Sequence, residues 1–165
     1  MATKPKQKLN LLPQAISARN RGVELDLDWV SSIQANTSAI ERRASSIGSR
    51  RSVKKQHQAA WLLQAVKCID LTTLSGDDTN GRVKRLCAKA KNPISKKLLE
   101  DLDLDNITVG AVCVYHDMIE TAVSKLRGTE IPVAAVSTGF PAGLSPLPLR
   151  IAEIEYSVSA GASEI

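Results

Sequence analysis

Aromatic residues are scarce. Phe, Trp and Tyr together make up 3% of the 165 residues, so Ala, Val, Leu and Ile must fill any core. Such a set suits α/β packing, with branched aliphatics in strands and Ala and Leu on helix faces. No apolar run approaches the roughly 20 residues of a membrane span. The opening MATKPKQKLNLLPQ has neither the apolar segment of a secretory signal nor an acid-poor amphipathic stretch long enough for a transit signal. A cytoplasmic protein without membrane association is expected. The three cysteines, Cys68, Cys87 and Cys113, are odd in number and form no CxxC, which indicates neither a disulfide framework nor a zinc site.

Acidic residues are few at one end only. Residues 1–57 hold eleven Lys and Arg against four Asp and Glu, a balance of +7, whereas the remainder holds eleven against thirteen, a balance of −2. The basicity belongs to an N-terminal extension, where Trp29 is the only aromatic. A solvated arm is the expectation, and a nucleic-acid surface, which wants aromatics interleaved with the charge, is not.

Residues 1–22 carry no pattern and read as a disordered basic arm. Residues 23–57 read as a helical extension. Asp28 is placed to cap a first helix, and Thr37 or Ser38 a second that carries Ile40, Ala44 and Ile47 and ends at Gly48. Residues 58–165 are more regular. Three apolar sets at i, i+3, i+4, i+7 mark helices: Ala59, Leu62, Leu63, Val66; then Val83, Leu86, Cys87, Ala90; then Ile119, Ala122, Val123, Leu126. Ile151, Ile154 and Val158 line a further one. KCIDLTT, ITVGAVCVY and IPVAAVST read as strands, and the terminal ASEI as the start of a fourth.

A helix followed by βα, βα, βα, β implies parallel strands joined by crossovers. Strands apolar on both faces would need cover on both. A doubly wound sheet and a (β/α)8 barrel both satisfy this. The barrel is favoured because each strand turns polar at its C-terminal end, where barrel strands converge on one mouth. In addition, LSGDDTNGR supplies no GxGxxG turn after the first strand. By alternation Cys68, Asp70 and Thr72 share one face of that strand, and Ile69 and Leu71 the other. A carboxylate inside a strand is costly to bury without a partner. Asp70 thus reads either as a mouth residue facing the barrel interior or as a cap on a neighbouring loop.

Five segments, CIDLTTLSGDDT, AAWLL, AVCVY, IPVAAVSTGFPAG and GASEI, strongly resemble deoxyribose-phosphate aldolase in the form with an N-terminal helical extension. The resemblance covers about residues 20–165. It implies the first three βα units and the start of strand 4 of a TIM barrel, preceded by N-terminal helices. It further implies a class I aldolase that reversibly cleaves 2-deoxy-D-ribose 5-phosphate to acetaldehyde and D-glyceraldehyde 3-phosphate. The nucleophile would be a lysine forming a Schiff base, with no metal or other cofactor. Such chemistry needs an amine of lowered pKa and a proton relay.

By the same resemblance, Asp70 and Thr72 are the first-strand polar pair that orders the lysine cluster and substrate hydroxyls. Cys113 is a pocket cysteine or, equally, a small buried hydrophobe. Gly139, Pro141 and Gly143 fall in the loop after strand 3, where glycine serves the turn. The relay aspartate and both lysines would follow Ile165. Lys67 lies in the first strand at its N-terminal end, and Lys84, Lys89, Lys91, Lys96, Lys97 and Lys125 lie on helices or connections. The chain alone is therefore expected to be inactive, a fragment whose open barrel edge self-associates. The alternative is a non-catalytic remnant acting as a binding or regulatory partner. His116 stands where the family often has Pro. At a mouth position it reads either as an acid–base group or, with no partner visible, as a helix cap, and His57 reads as solvated within the charged joint RRSVKKQ.

Overall fold

A computed structural model describes residues 24–50 and 52–165, so the basic arm 1–22 lies outside the described residues. The chain divides into two compact units, and the division falls between Ala60 and Trp61. The first unit holds α1 (Leu27–Ser32), α2 (Thr37–Arg50) and the start of α3 (Lys55–Lys67). The cap of α1 is Asp26, not Asp28. Its Oδ1 accepts the Trp29 N–H at 2.9 Å, the reach that an Ncap carboxylate has to N3. In α2 Asn36, rather than Thr37 or Ser38, takes that role by accepting the Ala39 N–H at 3.0 Å. Nor does Gly48 end α2. It stays helical, and the helix runs on to Arg50.

Residues 61–165 contain β1 (Asp70–Thr72), α4 (Asn80–Lys91), α5 (Lys96–Asp101), β2 (Ala111–Val114), a 3-10 turn (His116–Met118), α6 (Ile119–Leu126), β3 (Val133–Ala135) and α7 (Leu147–Ser159). The strands are parallel and lie in sequence order. Asp70 pairs with Ala111 and Thr72 with Cys113, while Val112 pairs with Val133 and Cys113 with Ala134. Glu164 then bridges to Ala134 in parallel, which continues the same order.

β1 and β2 begin later than the runs expected for them, because backbone groups ahead of each are bonded to a helix. The N–H groups of Cys68 and Ile69 bond back to Ala65 and Val66, so the last turn of α3 claims them. Lys67 accordingly ends a helix and is not in a strand. Val109 N–H goes to Ala90 at the end of α4, 3.1 Å, before β2 begins. Gly110 sits where a Cβ would lie 2.9 Å from the Lys67 carbonyl oxygen. Only glycine permits that approach.

The core lies on one face of the sheet. Val83, Cys87 and Ala90 of α4 and Ile119, Ala122 and Leu126 of α6 pack against Val112, Val114, Val133 and Ala135. Three of four residues in each of these expected stripes are buried, with Leu86 and Val123 half-buried, whereas in the expected α3 stripe Leu63 is buried and Leu62 is exposed. A fully buried Val or Ile contributes about 1.5–3 kcal/mol. The Ile151 and Val158 stripe of α7 differs: both residues are exposed, and Ser157 is the buried residue of that helix. Expected cover on both sheet faces is not found, because α4 and α6 pack on the same one. Sequential parallel strands with helices on one side form an open arc of a (β/α) barrel, not a doubly wound sheet. Among the described residues, no helix is long and apolar enough to cross a membrane.

Candidate active-site face

The face of the sheet away from α4 and α6 carries the polar strand residues. Side chains alternate along a strand, so the register sets Asp70, Thr72, Cys113, Ala111 and Ala134 together, opposite Leu71, Val112, Val114, Val133 and Ala135. The three candidate residues are thus brought onto one surface. Asp70 and Thr72 are exposed and Cys113 is half-buried. Thr72 Oγ1 donates to the Asp70 carbonyl at 2.9 Å. Burial pushes the Cys113 thiol up, a hydrogen bond with Thr72 opposes this, and the Asp70 carboxylate adds to the rise. The thiol therefore stays protonated near neutral pH, where it is a weak nucleophile. Cys68, expected on this face, precedes the strand and is exposed.

The loop after β1 is built by charge. Asp78 accepts from Thr73 Oγ1 at 2.9 Å, the Ser75 N–H at 3.1 Å and Arg82 at 3.2 Å. Burial would raise its carboxyl, but these donors outweigh that and hold it low. Arg82 also meets Asp77 at 2.9 Å, and with Ser75 it lowers that carboxyl to about 2. Thr79 Oγ1 then caps α4. This loop and the 3-10 turn after β2 enclose a cleft of about 370 Å³ at the C-terminal ends of the strands, lined by Ser75, Asp78, Tyr115, His116 and Asp117.

His116 is not a helix cap. Its Nδ1 lies 2.7 Å from Ser157 Oγ and its Nε2 2.5 Å from Glu153 Oε1. Glu153 Oε2 accepts the Gly139 N–H at 2.8 Å. One signal for this cluster was available in the sequence: Glu153 and Ser157 are four residues apart, so they share a face of α7. Their partner, 41 residues away from Ser157, was not visible there. Gly139 and Gly143 do serve turns, with φ of +75° and +67°. His57 is exposed as expected but lies within α3, not in a joint.

Among the described residues no lysine lies on a strand. Lys67, Lys84, Lys89, Lys91, Lys96, Lys97 and Lys125 are all helical.

No family model matches the chain. Over 154 residues the chain is 54% identical to deoxyribose-phosphate aldolase of Homo sapiens, a match that covers 91% of this chain and 48% of the relative. The Mus musculus enzyme of that name is 55% identical over the same length. A putative deoxyribose-phosphate aldolase of Caenorhabditis elegans is 31% identical and is covered to 45%. The crystal structure of a putative deoxyribose-phosphate aldolase from Coccidioides immitis aligns at a TM-score of 0.50 with 23% identity, covering 79% of this chain and 47% of that one, a likeness of fold. The resemblance read in the sequence is thus a homology along nine-tenths of the chain, consistent with an N-terminal half. The chain spans about half the length of the curated relatives it matches.

Proposed function

We propose that this chain, homologous to deoxyribose-phosphate aldolases, supplies residues 58–165 as the first three βα units and the entry to strand 4 of an eight-stranded aldolase barrel, behind a helical extension at 23–57. The reaction is the reversible cleavage of 2-deoxy-D-ribose 5-phosphate to acetaldehyde and D-glyceraldehyde 3-phosphate through a lysine Schiff base, a step of deoxyribose phosphate catabolism. The observation that carries the reading is the 54% identity over 154 residues. Asp70, Thr72 and Cys113 form the substrate-binding part of this half, with the Asp70 carboxylate poised for cationic lysines from the other half. Three free thiols suit a reducing, cytoplasmic setting.

The helical location of the lysines among the described residues favours a second statement: alone, this chain has no turnover. That property also fits the alternative, a non-catalytic partner that self-associates through its sheet edge.

The experiment combines trapping and complementation. Purified protein with acetaldehyde and borohydride should yield no defined lysine adduct by mass. A stoichiometric adduct on one lysine, blocked by deoxyribose 5-phosphate, would overturn the inactivity. Adding the C-terminal half of the 54% identical relative should restore cleavage of deoxyribose 5-phosphate. Asp70→Asn should lower the restored rate on the order of 100-fold without weakening assembly. Assembly without activity would leave the binding-partner reading standing and remove the aldolase one.

A further inference from the structure

The loop between β3 and α7 holds a backbone that should not persist unaided. Thr138 has φ +60° and Gly139 φ +75°. A β-branched residue in the left-handed region is strained by about 1–3 kcal/mol and survives only where its surroundings over-determine it. The next N–H, that of Gly139, is held by Glu153 Oε2 at 2.8 Å. A Cβ on Gly139 would meet Ser145 Oγ at 3.0 Å, and the Gly143 N–H returns to the Gly139 carbonyl at 2.8 Å. The loop is therefore closed on itself, and its link to α7 passes through Glu153.

The ring is held at both nitrogens. Ser157 is fully buried, and its hydroxyl lies 2.9 Å from the Glu153 carbonyl and 2.7 Å from His116 Nδ1. A carboxylate only accepts, so His116 Nε2 donates to Glu153 Oε1. A hydrogen bond to a carboxylate is charge-assisted, which fixes the Glu153 side chain against the ring. Glu153 faces it from α7, Asp117 follows it in its own turn, and Asp78 lines the same cleft from the loop after β1. Tyr156 stands edge-on with its ring centre 6.4 Å away. His116 and Glu153 are 21% and 23% exposed, so the pair is partly shielded from water.

We infer that Glu153, held by the Nε2–H of a His116 ring that Ser157 orients, is a positioning residue: it clamps the strained Thr138–Gly139 backbone at the C-terminal end of β3. The clamp ties the loop after β3 to the turn after β2, two elements at the strand ends that would face the mouth of the proposed barrel. In that sense the inference rests on the aldolase reading, but its test does not.

The chain has two histidines, so ring-¹⁵N histidine labelling gives two residues to observe, with exposed His57 as the internal control. At pH 8 the His116 Nε2 should show a protonated shift, as the donor to Glu153. In Glu153→Gln the amide can still accept from Gly139 and can donate to a bare Nε2. The Nε2 should therefore lose its proton while Gly139 amide exchange stays within about twofold of wild type. Glu153→Ala removes both bonds, and Gly139 exchange should rise about tenfold or more. A wild-type His116 with a bare Nε2 at pH 8 would overturn the inference, as would a Gly139 amide equally protected in Glu153→Ala. Should the alanine variant fail to fold, the glutamine variant and the wild-type ring shifts still decide. None of these readouts uses substrate or turnover, so the aldolase reading can fail while the clamp stands, or the reverse.

Discussion

Helices α6 and α7 each close a βα unit, and each carries an apolar repeat. Only α6 buries it: Ile119 is 0% and Leu126 3% exposed, whereas Ile151 and Val158 of α7 are 48% and 56% exposed. The difference lies in what faces each stripe. α6 lies over β2 and β3 beside α4, with which it shares one core. Beyond β3, the described strand pairing is the single bridge to Glu164. Spacing decides which residues share a stripe, and a facing surface decides whether that stripe stabilises anything.

Four substitutions probe that contrast. The largest effect is expected for Ile119→Ala, a fully buried side chain at the centre of the shared core. A loss of about 2–5 kcal/mol in denaturant unfolding is expected. A loss below about 1 kcal/mol would mean that α6 is no better anchored than α7. Next comes Gly110→Ala, whose new Cβ would stand 2.9 Å from a main-chain oxygen that cannot rotate away. It should cost about 1–3 kcal/mol, and unfolding monitored through β1–β2 amide exchange would report it.

Arg82→Ala is milder, because the pairing it breaks at the start of α4 is exposed. Arg82 and Ser75 lower the Asp77 carboxyl from 3.8 to about 2. A depressed folded-state value contributes stability above the unfolded value that is lost as pH falls through the folded one. The wild-type contribution should therefore be intact above about pH 4 and fade toward pH 2. In Arg82→Ala the Asp77 carboxyl resonance should titrate closer to 3.8. An unchanged midpoint would remove Arg82 as the cause. The smallest effect is expected for Val158→Ser, within about 0.5 kcal/mol. A cost above about 1 kcal/mol would show that α7 has a covered face in solution, for instance in a self-associated form.

Much of the fold was legible because its signals are local. The α4 and α6 stripes and the β-rich runs needed only neighbours within about four residues. Strand limits were not legible. The last turn of α3 took Cys68 and Ile69 through bonds to residues three back, and the end of α4 took Val109 through a bond between segments. The candidate face was partly legible, since alternation put Asp70 and Thr72 on one side, whereas their adjacency to Cys113 needed the β1–β2 register. His116 found no partner in the sequence because Glu153 and Ser157 lie 37 and 41 residues away, on a helix whose docking no periodicity encodes.

By itself the sequence determined the order of helices and strands, the parallel connection they imply, and the kinship to an aldolase family, because these depend on residue type and spacing. Tertiary structure alone decided that the helices cover one sheet face, that Asp70, Thr72 and Cys113 meet, and that Glu153 joins His116 to Gly139. Each of these joins residues distant in sequence. Such contacts form only when burial of the α4 and α6 stripes has brought their segments together, so no local pattern can announce them.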